Sequence, residues 1–211
     1  QKAECIYDIT YYFTSTYLQK GDRTIDQMVQ AARSGKQNIA EGSAASATSS
    51  ATEIKLMNVA RASLQELLTD YEDYLRVRGL EIWDVNSEKA IQTRRVCALR
   101  NDSAYYRDAI AKRSDETICN IAITLIHQTD AIFGKLISRL EDDFVRNGGI
   151  KEQIDALKSH GMTHLEPRGL DEGNISLYTV EQAKKLKEIL DENNIEISAI
   201  GSHYGKIKIT E

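Results

Sequence analysis

A single proline in 211 residues, placed as late as position 167, constrains this chain more than any other feature. Proline inside a helix removes a backbone donor and clashes with the preceding turn, so most of this chain is free to be helical. The apolar spacing says that it is. Ile25, Met28, Val29, Ala32, Gly35 and Ile39 recur at the i, i+3, i+4, i+7 intervals that line one face of a helix. Met57, Ala60, Leu64, Leu67, Tyr71 and Tyr74 alternate three and four residues apart, the seam of an antiparallel bundle. A first helix is expected over residues 2–19, with Ile6, Ile9, Phe13 and Tyr17 inward, ended by Gly21 and Asp22. A long fourth helix runs from Ser114 or Asp115 to about Arg146, with Ile118, Ile121, Leu125, Ile132, Leu136, Leu140 and Phe144 as its stripe.

Punctuation between these runs sets the boundaries. Thr24 with Gln27, and Ser50 with Glu53, have the spacing of capping boxes and predict the starts of helices two and three. Gly42 sits where a helix end favours positive φ, and the small polar run GSAASATSS at 42–50 reads as a helix–helix connection. Arg78-Gly79 closes helix three, the chain turns through Trp83, and Asn147-Gly148-Gly149 stops helix four. Beyond that stop, residues 161–168 and 195–202 read as strands on either side of a helix that Thr179 and Gln182 cap and that runs to about Asn193. Such a β-α-β unit needs a parallel pairing. The expected fold is therefore mainly α: an antiparallel four-helix bundle over residues 1–148 with a basic insertion at 79–113, then a small β-α-β segment over 149–211.

Charge narrows the function. The net charge is −5, which excludes a globally basic nucleic-acid binder but leaves room for a local basic face. Residues 89–113 supply one: Lys89, Arg94, Arg95, Arg100, Arg107, Lys112 and Arg113 stand against Asp102 and Asp108, seven cations to two carboxylates, a local +5. Tyr105 and Tyr106 interleave them, offering rings for unpaired bases beside cations for phosphates. The same composition also suits a solvated helix face with internal ion pairs. Arg33 and Lys36 are weaker candidates on helix two.

Catalytic and metal signatures are sparse. Cys5, Cys97 and Cys119 are odd in number and lack a CxxC or His-paired spacing, which speaks against a disulfide framework or structural zinc and for a reducing, cytoplasmic setting. No apolar run approaches the roughly 18 residues a membrane span needs. His127, Gln128, Thr129 and Asp130 interrupt an apolar helix and read as a hydrogen-bonded network or interface contact; His127 and Asp130 share a face, without a second ligand pair to complete a metal site. In the tail His164, Glu166 and His203 lie near strand ends, and Gly201 and Gly205 are too sparse to cradle a phosphate. No Walker A loop, dinucleotide fingerprint or nucleophile elbow is present. No catalytic residue, metal or cofactor is expected.

Gln27, Ala31, Ala32, Ser34, Asn38, Ile39, Ala40, Glu41 and Gly42, followed by the helix ASLQEL at 62–67, resemble the four-helix-bundle family of 23S rRNA intervening-sequence proteins, whose relatives include accessory proteins of diversity-generating retroelements. The IHQTD run at 126–130 and GGI at 148–150 resemble its longer, suffix-bearing subgroup. Val29 and Gln30 stand where the family often has a basic pair, and Lys36 where it has a proline. In this light Asn38, Glu41 and Gly42 form a structural turn. The resemblance implies a homo-oligomer, pentameric in the retroelement relatives, where the bundle binds a reverse transcriptase and nucleic acid. The segments IDALKSHGMTHLEPRGL and ISAIGSHYGKIKIT resemble part of a sugar-phosphate isomerase/epimerase barrel of the xylose-isomerase-like superfamily, over about 60 residues where such a barrel needs around 250. Three functions are thus open. They are a non-catalytic oligomeric bundle associating with nucleic acid (RNA foremost, or DNA) and/or a partner protein, a pure protein–protein scaffold without nucleic acid, and a truncated or fused isomerase segment.

Overall fold

A computed structural model describes residues 1–46, 49–147, 149–167, 169–170, 173–175 and 178–199. The chain is mainly helical, with eight helices among the described residues, and divides into two compact units, Gln1–Glu141 and Asp142–Glu211.

In the first unit α1 (Lys2–Tyr17) buries Ile6, Ile9 and Phe13 completely, while Tyr17 is half-buried. It stops short of residue 19 because Leu18 turns to an extended conformation. The next helix, α2 (Arg23–Ala45), begins on Asp22, whose carboxylate accepts a hydrogen bond from the Thr24 N–H at 2.9 Å. The expected Thr24–Gln27 capping box is therefore displaced by an upstream acid, a strong cap that also complements the positive end of the helix. The same shift occurs at α3 (Ser50–Arg78), which starts on Ser49 rather than Ser50, the Ser49 hydroxyl accepting from Thr52 N–H at 3.3 Å. Gly79 ends α3 with φ +65°, and the Leu80 N–H donates to the Leu75 carbonyl at 2.9 Å.

Asn38, Glu41 and Gly42 form no turn. All three lie within α2, so the connection to α3 is shorter than the GSAASATSS run. Gly42 continues the 28, 32, 35, 39 spacing by one more step and is buried; a Cβ there would come within 3.1 Å of Met57 Cε and 3.3 Å of Leu56 Cβ. Its role is close approach of two helices, and positive φ is not involved. Asn38 instead donates to the Ser34 carbonyl at 2.9 Å and to its hydroxyl at 3.1 Å, while Ser34 and Ser63 share a hydrogen bond of 2.9 Å across to α3.

The α3 seam of Met57, Ala60, Leu64, Leu67, Tyr71 and Tyr74 is buried along its whole length. It meets α1 through aromatic contacts, and the buried Tyr71 hydroxyl donates to Thr10 Oγ1 at 2.9 Å, so its polar end is satisfied. Two short helices, α4 (Glu88–Leu99) and α5 (Ser103–Ile110), precede the 33-residue α6 (Asp115–Asn147). Tyr74 anchors the start of α6 by donating to Asp115 at 2.9 Å. Along α6, Ile118 and Leu125 are buried as expected, but Ile132 is 52% exposed and Phe133 and Ile137 take the core. A seven-residue repeat slips about 20° per heptad on a straight helix, enough to carry Ile132 off the edge of the buried arc.

The second unit contains a helix that the sequence reading missed, α7 (Ile150–Ser159). Ile150 and Ile154 pack with Leu186 and Leu190 of α8 (Val180–Glu192) and with Ile195. Thr179 and Gln182 form the expected capping box, with bonds of 3.3 and 2.8 Å. Strand β1 (His164–Leu165) pairs in parallel with β4 (Glu196–Ile197), giving the expected crossover around α8. Each is only two residues long where segments 161–168 and 195–202 were expected, and His164, Glu196 and Ile197 are exposed. Between them β2 (Gly169–Leu170) and β3 (Gly173–Asn174) make a separate antiparallel pair.

Candidate nucleic-acid interface

The basic stretch folds as two capped helices. Ser87 caps α4 by accepting from Ala90 N–H at 3.3 Å, and Asp102 caps α5 by accepting from Ala104 and Tyr105 N–H at 3.0 and 3.3 Å. Ala90 and Cys97 of α4 and Tyr106 and Ile110 of α5 face inward. That leaves Lys89, Arg94, Arg95, Arg100, Arg107, Lys112 and Arg113 exposed. Among the described residues none of the seven is in an ion pair. Asp102, one of the two local carboxylates, is engaged as a helix cap.

The two tyrosines part company. Tyr105 is half-buried, with the Arg100 guanidinium 5.0 Å from its ring centre. Tyr106 is only 2% exposed and donates its hydroxyl to the Arg100 carbonyl at 3.1 Å, with burial pushing its pKa up. It cannot stack a base, which corrects the sequence expectation. The i, i+4 relation of Tyr106 to Ile110 is the core-facing side of α5.

A cleft of about 410 Å³ opens beside these helices, between α4, α5 and the start of α6. Trp83 forms part of its wall and was read from the sequence only as a turn residue. Its backbone N–H donates to Asn120 Oδ1 at 2.9 Å and its indole N–H to Glu116 at 3.3 Å. Lys89 Nζ lies 5.8 Å from the Trp83 ring centre. The signal available in the sequence was the chain's single tryptophan a few residues upstream of the basic run.

The remaining candidates are not brought to this cleft. Arg33 is exposed, and Lys36 lies over the Tyr7 ring at 4.1 Å. Gln128 accepts from Lys2 Nζ at 3.1 Å and donates to the Arg94 carbonyl at 2.9 Å, Thr129 donates to the Leu125 carbonyl at 2.7 Å, and His127 is exposed. Asp130 accepts from Arg61 Nε and Nη2 at 2.7 and 3.2 Å. His164 Nε2 lies 3.5 Å from Glu196, and Glu166 is exposed; His203, Gly201 and Gly205 lie outside the described residues. Among the described residues no group of three or more His, Cys, Asp or Glu could hold a metal ion. Nor, among them, is any helix long and apolar enough to cross a membrane.

The Arg61–Asp130 pair gives a pH-dependent prediction. Hydrogen bonds from Arg61 hold the Asp130 carboxyl below its ordinary 3.8. A depressed folded-state pKa contributes stability that is complete above the unfolded value and lost as pH falls through the folded one. Both side chains are partly exposed, so Asp130→Asn should cost about 0.5–1 kcal/mol in urea unfolding at neutral pH. The gap between variant and parent should narrow as pH falls from the ordinary carboxylate range through the lowered folded-state value of Asp130; a gap that does not narrow with acidification would assign the effect to packing.

Comparison of the chain with models of known protein families, with curated proteins and with solved structures finds no match.

Proposed function

We propose that α1, α2, α3 and α6 form an antiparallel four-helix bundle that is non-catalytic and homo-oligomeric, and that it associates with nucleic acid, RNA foremost, through residues 89–113. The observation that carries this reading is the exposure of seven cations without carboxylate partners among the described residues, in a chain of net charge −5. Cations without carboxylate partners keep their charge available to an approaching phosphate. Phosphate contacts from this stretch would position RNA without reading its sequence. Repetition of the patch around an oligomer would turn modest single-site affinity into avidity.

Fluorescence anisotropy with a structured RNA tests this. If four cations engage phosphates, affinity should fall about a hundredfold between roughly 50 and 200 mM salt. Replacing Arg94, Arg95 and Arg100 by Gln should weaken binding to all sequences alike and flatten the salt slope by about three. Undetectable binding at low salt would sink the reading.

A partner-protein scaffold is the second reading, favoured by exposed apolar side chains near the same helix: Ile82, Val85 and Leu99, exposed by 48, 63 and 82%. Co-purification before and after nuclease treatment separates the two, since a protein partner survives digestion. The isomerase alternative would need a closed barrel, whereas the described tail offers one parallel pair of two-residue strands.

A further inference from the structure

We infer that the cleft between α4, α5 and the start of α6 is a nucleotide site, taking one aromatic heterocycle beside Trp83 and Tyr105 and its phosphate between Lys89 and Arg113. This deepens the nucleic-acid reading and rests on it.

Four properties of the cleft converge on that ligand. Its charged lining is cationic: Lys89 and Arg113 are exposed at it, and no carboxylate lines it. Glu116, the carboxylate held against Trp83, is engaged by the indole N–H and by the Glu81 backbone N–H, each at 3.3 Å. An anion is therefore favoured over a cation or a neutral ligand. The aromatic walls are half-buried and fixed in place, Trp83 by its two hydrogen bonds and Tyr105 by edge contact with the buried Tyr106 at 5.4 Å between ring centres. Rings held in this way offer a planar ligand an ordered surface. Gln92 and Thr93 also line the cleft and make no side-chain hydrogen bond among the described residues, leaving an amide and a hydroxyl for the edge of a base. The volume of about 410 Å³ lies within the range of small-molecule sites.

A nucleotide can arrive free or as an unpaired residue of a strand, and the chain carries its own reporter for both, because its single tryptophan is in the cleft wall. The full chain is titrated at low salt with AMP, with adenosine and with a single-stranded oligoadenylate while Trp83 fluorescence is followed. Saturable quenching by AMP is expected, with adenosine about tenfold weaker or worse for want of the phosphate contacts. The paired Lys89→Gln and Arg113→Gln substitutions, both at exposed positions, should weaken AMP to the adenosine level without changing the melting curve. Oligoadenylate tighter than AMP and competed by it would identify the strand as the source; oligoadenylate no tighter than AMP would identify the free nucleotide.

No saturable response to either AMP or oligoadenylate overturns the inference, as does AMP quenching indifferent to both substitutions. Salt-sensitive RNA binding with a silent Trp83 would leave the basic-patch reading intact and remove the cleft. AMP quenching without RNA binding would do the reverse. Should the double variant fold poorly, the AMP–adenosine difference on the parent chain still decides.

Discussion

Replacing Phe13 by alanine should lower the unfolding free energy by about 3–5 kcal/mol. The ring is fully buried, and its neighbours are themselves aromatic: Tyr74 stands edge-on at 4.8 Å between centres, Tyr71 at 5.2 Å and Tyr17 at 5.7 Å. Truncation removes the transfer free energy of the ring, the edge-to-face contact with Tyr74 and the dispersion of every atom that faced it. Collapse into the gap is hindered, because Tyr71 is held by its bond to Thr10 and Tyr74 by its bond to Asp115. Urea unfolding followed by circular dichroism measures the loss, which corresponds to a melting shift on the order of 10 °C. A loss below about 1 kcal/mol would mean that α1 is not seated on α3.

Gly35→Leu should cost about 3 kcal/mol, against a helix propensity that favours leucine over glycine by somewhat less than 1 kcal/mol. A Cβ at this position would already sit 2.8 Å from Leu64 Cδ2 and 3.0 Å from Leu64 Cγ, with the Ala60 carbonyl at 3.6 Å. Three further carbons have nowhere to go unless α2 moves away from α3. The Leu64 side chain is the immediate obstacle, which makes a size exchange informative. Leu64→Ala alone empties a buried site and should cost about 2–5 kcal/mol, but combined with Gly35→Leu the two should partly cancel. Strict additivity of the two losses would show that the glycine is not there for Leu64.

The long seam of α3 could be read from sequence because six core positions recur at near-constant intervals along a 29-residue helix, so every position votes for the same face. Helix starts were less legible. Asp22 and Thr24, or Ser49 and Ser50, are each chemically able to cap, and only the backbone hydrogen bonds choose between them. Gly42 is ambiguous in the sequence for a related reason: glycine suits a helix end and a helix crossing equally well, and only the neighbouring Met57 and Leu56 tell which. The basic stretch was visible as charge, yet Tyr106 needed the α5 periodicity to be recognised as core. The cleft beside it joins Trp83 to residues from three helices, so no local window contains it. Helix α7 follows directly on a double glycine, a strong chain-break signal that masks the helical stripe of Ile150, Ile154 and Leu157.

Cys5, Cys97 and Cys119 belong to α1, α4 and α6, and each thiol is buried, with burial pushing its pKa up. A thiol in that condition is closed to alkylating reagents until its surroundings open. The three cysteines therefore amount to a set of internal clocks, one per helix, from which the order of opening can be timed chemically without adding a probe.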